Sequence, residues 1–272
     1  MDEPLFSCPW QYNALVTTVS DDAKHRRAAV FFKIHKDLPR EGPGDTTSTH
    51  RAYRFVSELP ATGRILDVGC GPGAQTIDLA NVTAGSITAL DIHRQYLDQL
   101  CDRMQVAGLS RRVNAVQASM FNMPFLNESF DVIWAEGVIY LIGFERGLRE
   151  WCRFLRPGGY VAATHLSWLT SDIPDEPREF WSRHYPAMRA VEENARISTQ
   201  CGFNLIECFT LPESAWWSDY YGPMETRLLS LRDQYRGDDD ALAVIESSGE
   251  QIDLYRRFAR HYGYVFYVLR MR

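Results

Sequence analysis

Three glycines at alternate positions, Gly69, Gly71 and Gly73, stand between an acid, Asp67, and an apolar helical pattern that begins at Ala74. Glycine admits a left-handed backbone and lets a ligand approach with no Cβ in the way. A helix that starts behind such a turn points its first N–H groups at an anionic group, a carboxylate or a phosphate. A second acid, Asp91, follows Gly73 by 18 residues, close to the ~20-residue spacing at which a carboxylate reaches the two hydroxyls of a ribose. Together they predict a ligand with an anionic end and a sugar. The other reading of Asp91 is a turn acid that caps a helix over 92–104.

Placing these residues takes a strand, a tight turn and a helix. Ile65, Leu66 and Val68 read as a buried parallel strand, and Ile77 and Ala80, with Leu79 beside them, give the following helix an apolar side. Further strands are expected at 86–91, 113–118, 130–135, 160–168, 201–211 and 262–271, with helices at 92–104, 143–155 and 192–200 between them. Open parallel sheets bind ligands at their carboxyl edge. Two titratable residues fall there, Glu136 after the fourth strand and His165 near the end of the fifth. Glu136 is placed to orient or deprotonate an acceptor, or else serves as a cap or an arginine partner. His165 is placed to take a proton near neutral pH, or else is a satisfied structural histidine. Upstream, Gly42-Pro43-Gly44 breaks the chain, and Asp45 or a following Thr caps a helix carrying Ala52, Phe55, Val56 and Leu59. Residues 1–35 read as short helices.

The 272 residues, 45% of them hydrophobic, suffice for one large α/β domain or a core with an appended lid. A net charge of −6 argues against a surface made for phosphate backbones, and Lys24-His25-Arg26-Arg27 is then a local basic patch only. Six cysteines (8, 70, 101, 152, 201, 208) carry no Cys-x-x-Cys and no histidine at metal spacing, so reduced thiols and no metal are expected. No leader pattern opens the sequence and no apolar run approaches ~18 residues. A cytoplasmic protein with neither nucleic-acid nor membrane partners is expected.

Asp67-x-Gly69-x-Gly71-x-Gly73 departs from the dinucleotide pattern Gly-x-Gly-x-x-Gly. It resembles motif I of the class I S-adenosylmethionine-dependent methyltransferases, and the Leu155-x-Pro157-Gly158-Gly159 turn recurs in that superfamily at the same place. Several further stretches look like the small bacterial type 11 or ubiquinone-biosynthesis-like group. They are Arg40-Glu-Gly-Pro-Gly44, Glu136-Gly with Tyr140-x-x-Gly-Phe-Glu-Arg146, Leu211-Pro-Glu with Trp216 and Tyr220-Tyr221, and Tyr262-Gly-Tyr-Val-Phe-Tyr267.

The resemblance implies a Rossmann-like α/β fold with a seven-stranded sheet, its last strand antiparallel between the fifth and sixth. It implies an N-terminal helical lid over 1–60 and a cofactor domain over 61–272 with a lid insertion near 212–260. It further implies S-adenosyl-L-methionine as cofactor, S-adenosyl-L-homocysteine as product, a small-molecule acceptor and a homodimer. Asp67, Gly69, Gly71 and Gly73 would hold the methionine end, Asp91 the ribose, and Ser119 with Met120 the adenine. Cys70, Gln75, Ile92 and Glu136 complete the expected cofactor set. Glu136, His165 and Tyr140 are the expected catalytic residues, and Tyr140, Trp168, Trp216 and Tyr221 the expected acceptor wall. Ser119 stands where many methyltransferases have an acid, and the position of His165 tends to be acidic in the group. Neither an Asn-Pro-Pro-Tyr tetrad nor a Pro-Cys nucleophile follows the fourth strand, which argues against methylation of nucleic-acid bases.

Such an enzyme has to align an acceptor lone pair with the methyl–sulfur bond at ~3 Å and exclude water. Two other readings stay open: a cofactor-binding regulatory or structural protein without turnover, and a nicotinamide dehydrogenase, which predicts the longer glycine spacing.

Overall fold

The structure, a computed structural model, describes residues 21–56, 59–60 and 62–272. The short helices expected before residue 21, and Cys8, lie outside the described residues. In chain order the elements open with α1 (Asp21–His35), α2 (Thr46–Tyr53), β1 (Arg64–Val68), α3 (Ala74–Val82), β2 (Ser86–Asp91), α4 (Arg94–Val106), β3 (Val113–Gln117) and β4 (Phe130–Ala135). Then come α5 (Phe144–Trp151), β5 (Leu155–Trp168), α6 (Asp175–His184), β6 (Arg189–Ala190), α7 (Val191–Gln200), β7 (Phe203–Thr210), α8 (Gly222–Gln234), α9 (Asp239–Phe258) and β8 (Tyr262–Met271).

The chain forms two compact units. Of the described residues, the larger comprises those within Gly44–Ser167, Arg189–Leu211 and Tyr264–Arg272, and the smaller those up to Pro43, Trp168–Met188 and Pro212–Gly263.

The larger unit is built on a sheet of order β3-β2-β1-β4-β5-β8-β7, with β6 added beside β5. The first five strands of that order pair in parallel, and β7 runs antiparallel to β8. This is the expected methyltransferase-like order, with the two-residue β6 as an addition. Ile65, Leu66, Val68, Val132 and Ile133 are fully buried, because a central parallel strand is covered on both faces. The edge strand β3 keeps Asn114 and Gln117 exposed.

β5 departs from the expected start at Tyr160. Pairing with β4 already begins at Phe130↔Leu155 and then jumps to Val132↔Tyr160. Pro157 has no N–H to give a ladder, and Gly158 has φ +75°. The Leu-x-Pro-Gly-Gly stretch is therefore a bulged strand entrance rather than the expected turn between helix and strand.

In the smaller unit α1, α8 and α9 pack together. Arg227 donates to the Ile34 carbonyl, and Arg27 donates to Asp240 through two nitrogens. Trp216 stacks on Tyr255 with ring centroids 4.0 Å apart. Tyr221 is buried beside them. No described helix is long and apolar enough to cross a membrane.

Candidate active site at the carboxyl edge of the sheet

β1 has β2 on one side and β4 on the other, so the connections leave in opposite directions and open a crevice beyond their carboxyl ends. The glycine turn fills the first part of it. Gly69, Gly71 and Gly73 have φ of +66°, +51° and +91°, a region that side chains rarely adopt. A Cβ on Gly69 would lie 2.5 Å from Val138 Cγ2, and one on Gly73 would lie 2.2 Å from Leu100 Cδ1. These two glycines are demanded by backbone and packing alike.

Asp91 ties the turn down. Its Oδ2 accepts from the Gly71 N–H at 2.9 Å and its Oδ1 from the His93 N–H at 2.8 Å. Burial raises its pKa. Each carboxylate oxygen has a second lone pair, so these bonds leave the acceptor capacity that a sugar diol requires. Ile92 is half-buried, its carbonyl accepting from Gln117.

Asp67 has a different setting from the one expected. It is fully buried, and its Oδ2 accepts from Thr76 Oγ1 at 2.6 Å. Gln75 Nε2 lies 3.4 Å from Asp67 Oδ1 and 3.2 Å from the Cys70 carbonyl. These bonds tie the end of β1 to the first turn of α3, and the Cys70 side chain is buried. Burial pushes the Asp67 pKa up to about 7, the Thr76 and Gln75 hydrogen bonds oppose the rise, and the charges of Glu136 and Asp91 add to it. Three acids thus meet at adjacent strand ends.

Glu136 follows β4 directly. Its Oε1 accepts from Trp134 Nε1 at 2.8 Å and from Thr49 Oγ1 at 2.7 Å. Thr49 lies on α2, which begins as expected at Asp45. The Asp45 carboxylate caps the helix by accepting from the Ser48 N–H and hydroxyl, each at 2.8 Å. α2 docks on α3, where Thr46 donates to Asp78 and the His50 ring bonds the Asp78 carbonyl. Gly137 has φ +69° and donates its N–H to Thr164 Oγ1 at 2.6 Å. Tyr140 sits in the short helical turn Ile139–Leu141 and is 5% exposed.

Ser119 and Met120 follow β3. The Ser119 hydroxyl accepts from the Phe121 N–H, and the Met120 carbonyl from the Trp151 indole. The Met120 side chain is half-buried.

His165 corrects the expectation of an open-edge base. It is 1% exposed, stacks on Phe144 at 4.7 Å, and has its pKa lowered to about 3 by burial. A general base has to reach the proton it removes, and this ring is enclosed as a neutral core group. Of the residues expected to form the acceptor wall, Trp168, Trp216 and Tyr221 belong to the smaller unit, where Trp216 and Tyr221 are buried. Thr49, Trp134 and Thr76 were not foreseen. Only a contact across 87 residues joins Thr49 to Glu136, and no local pattern announces it. Among the described residues no group of three potential metal ligands occurs.

A family profile described as a methyltransferase domain matches residues 65–159. The chain is similar to the methyltransferase GfsG of Streptomyces halstedii, 36% identical over 43% of this chain and 42% of that protein. It is also similar to 24-methylenesterol C-methyltransferase 2 of Oryza sativa subsp. japonica, 25% identical over 69% of this chain and 55% of that protein. It thus spans about half the length of these curated relatives. Among solved structures, a methyltransferase from Geobacter sulfurreducens in complex with S-adenosyl-L-homocysteine superposes with a TM-score of 0.75 at 17% identity, covering 90% of this chain and 98% of that one. That likeness concerns the fold.

Proposed function

We propose that this chain, whose residues 65–159 match a methyltransferase-domain profile, is a class I S-adenosylmethionine-dependent methyltransferase that transfers the methyl group of that cofactor to a small-molecule acceptor. The observation that carries the reading is the clip between Asp91 and the glycine turn. It fixes a turn with glycine at three alternate positions, a helix start and a buried carboxylate at one crevice. Those parts fit the group: the turn and the start of α3 suit a carboxylate, and the remaining lone pairs of Asp91 suit two sugar hydroxyls.

When bound, S-adenosylmethionine supplies a methyl group already activated by a positively charged sulfur. The chain's part is to hold and shield. Gly69, Gly71 and Gly73 keep the loop open to close approach. Asp91 and Ile92 hold the sugar end and Ser119 with Met120 the base. Asp67, Cys70 and Gln75 brace the turn and keep its donors aimed. Glu136 presents a carboxylate fixed by two donors, and Tyr140 lines the acceptor side. His165 has a packing role. The net charge of −6 favours a small acceptor over a nucleic acid.

Incubating the protein with labelled S-adenosylmethionine and pooled metabolites tests this, calorimetry with the cofactor and its product running alongside. The expected result is label in a low-molecular-weight product. Cofactor binding with no transfer to any pool would support the regulatory reading instead, and no binding would remove both.

A further inference from the structure

Thr49 is fully buried on α2, and a buried hydroxyl needs a partner. In a helix the ordinary partner is the carbonyl four residues back, and the Asp45 carbonyl lies 3.2 Å away. Glu136 Oε1 lies closer, at 2.7 Å. Thr49 has a single proton to give, and the shorter bond to a charged acceptor is the stronger one. The Trp134 indole donates to the same oxygen from the core of the sheet. Two rigid donors, one from a helix capped and docked on its neighbour and one from a central strand, therefore fix the plane of one carboxylate. The Glu136 charge is felt at Asp67, one strand away. It thus stands beside the turn on which the proposed cofactor rests.

We infer that Thr49 is a positioning residue: with Trp134 it aims the Glu136 carboxylate so that the site favours the positively charged sulfur of the cofactor over the neutral sulfur of the product. This rests on the methyltransferase reading and extends it to a residue outside the matched domain, since residues 65–159 do not include Thr49. A threonine that only filled space would act on both ligands alike.

The test is titration calorimetry of S-adenosylmethionine and S-adenosylhomocysteine against wild type, Thr49→Val, Thr49→Ser and Glu136→Gln. Valine keeps the branched shape and removes the donor, serine keeps the donor, and glutamine keeps an oxygen for both donors while removing the charge. The expected outcome is an affinity for S-adenosylmethionine lowered about tenfold in Thr49→Val and Glu136→Gln, with affinity for the product changed less than about twofold. Serine should restore the wild-type ratio. Equal weakening of both ligands, or a ratio unchanged in Glu136→Gln, would overturn the inference while leaving the cofactor reading intact. Wild type binding neither ligand would overturn the reading itself.

Discussion

Asp91 is pulled in two directions. Its oxygens hold the backbone of the glycine turn and of the helix start at His93, and the same oxygens are the proposed sugar acceptors. Asp91→Asn keeps the shape, removes the charge and turns one of the two accepting oxygens into an amide donor facing a backbone N–H, so the cofactor and its product should both bind at least about 10- to 100-fold more weakly, the range set by a charge-assisted hydrogen bond of ~1.5–3 kcal/mol. Calorimetry giving affinities within twofold of wild type would leave Asp91 as a turn acid only. Spacing made the glycine turn after β1 and the acid ending β2 legible, because a tight turn between strand and helix constrains residue type at fixed separations. It could not make Thr49 legible, since that contact exists only after α2 docks. The sequence leaves His165 open between a base and a structural histidine for a related reason: its place near a strand end says nothing about Phe144, which stacks on the ring.

Among the elements, α2 carries more than its eight residues suggest. Asp45 satisfies two donors of Ser48, and Thr46 and His50 fasten the helix to Asp78 on α3. Asp45→Ala should cost about 0.5–2 kcal/mol by loss of the cap, read as a lower urea midpoint. Because α2 also places Thr49, the loss should fall more heavily on the cofactor than on its product. An unchanged urea midpoint would show that the docking to Asp78 holds the helix without its cap. β4 and β8 occur where their apolar runs predicted, at 130–135 and 262–271. Such runs, bounded by turn residues, leave a buried strand little freedom. The entrance of β5 was not legible, because whether Pro157 and Gly158 stop a helix or bulge a strand depends on the neighbour, and the register of β4 decides it. Likewise β6 exists only by pairing with β5, and the π turn over Trp217–Tyr221 has no periodic signature.

Across the whole molecule, the buried ionisable groups set how stability responds to pH. His165 titrates at about 3 in the fold against an ordinary 6.5, and His35 at about 4, both because burial disfavours the charged ring. As pH falls below 6.5 the unfolded chain takes up these protons first. The stability these residues contribute is therefore full above about pH 6.5 and is lost on the way down to about 4 and 3. Asp67 has the opposite sign. Its folded pKa is about 7 against an ordinary 3.8, so the fold keeps that proton longer, and its contribution is full below about pH 3.8 and is lost as pH rises through 7. His165→Phe, which keeps a ring against Phe144, should lessen the acid loss between pH 6.5 and 5 by up to about 1.4 kcal/mol per pH unit, measured by urea unfolding at each pH. An acid slope equal to that of wild type would mean the imidazole is charged in the fold. The place of β8 between β5 and β7 bears on how the chain is made. Roughly 50 residues of the smaller unit separate the end of β7 from the start of β8, several seconds of synthesis at ~5–20 residues per second. During that interval the ribosome has released β5 and β7 with no strand between them, two bare ladders that invite mispairing, and a chaperone able to shield them would raise the yield of native protein.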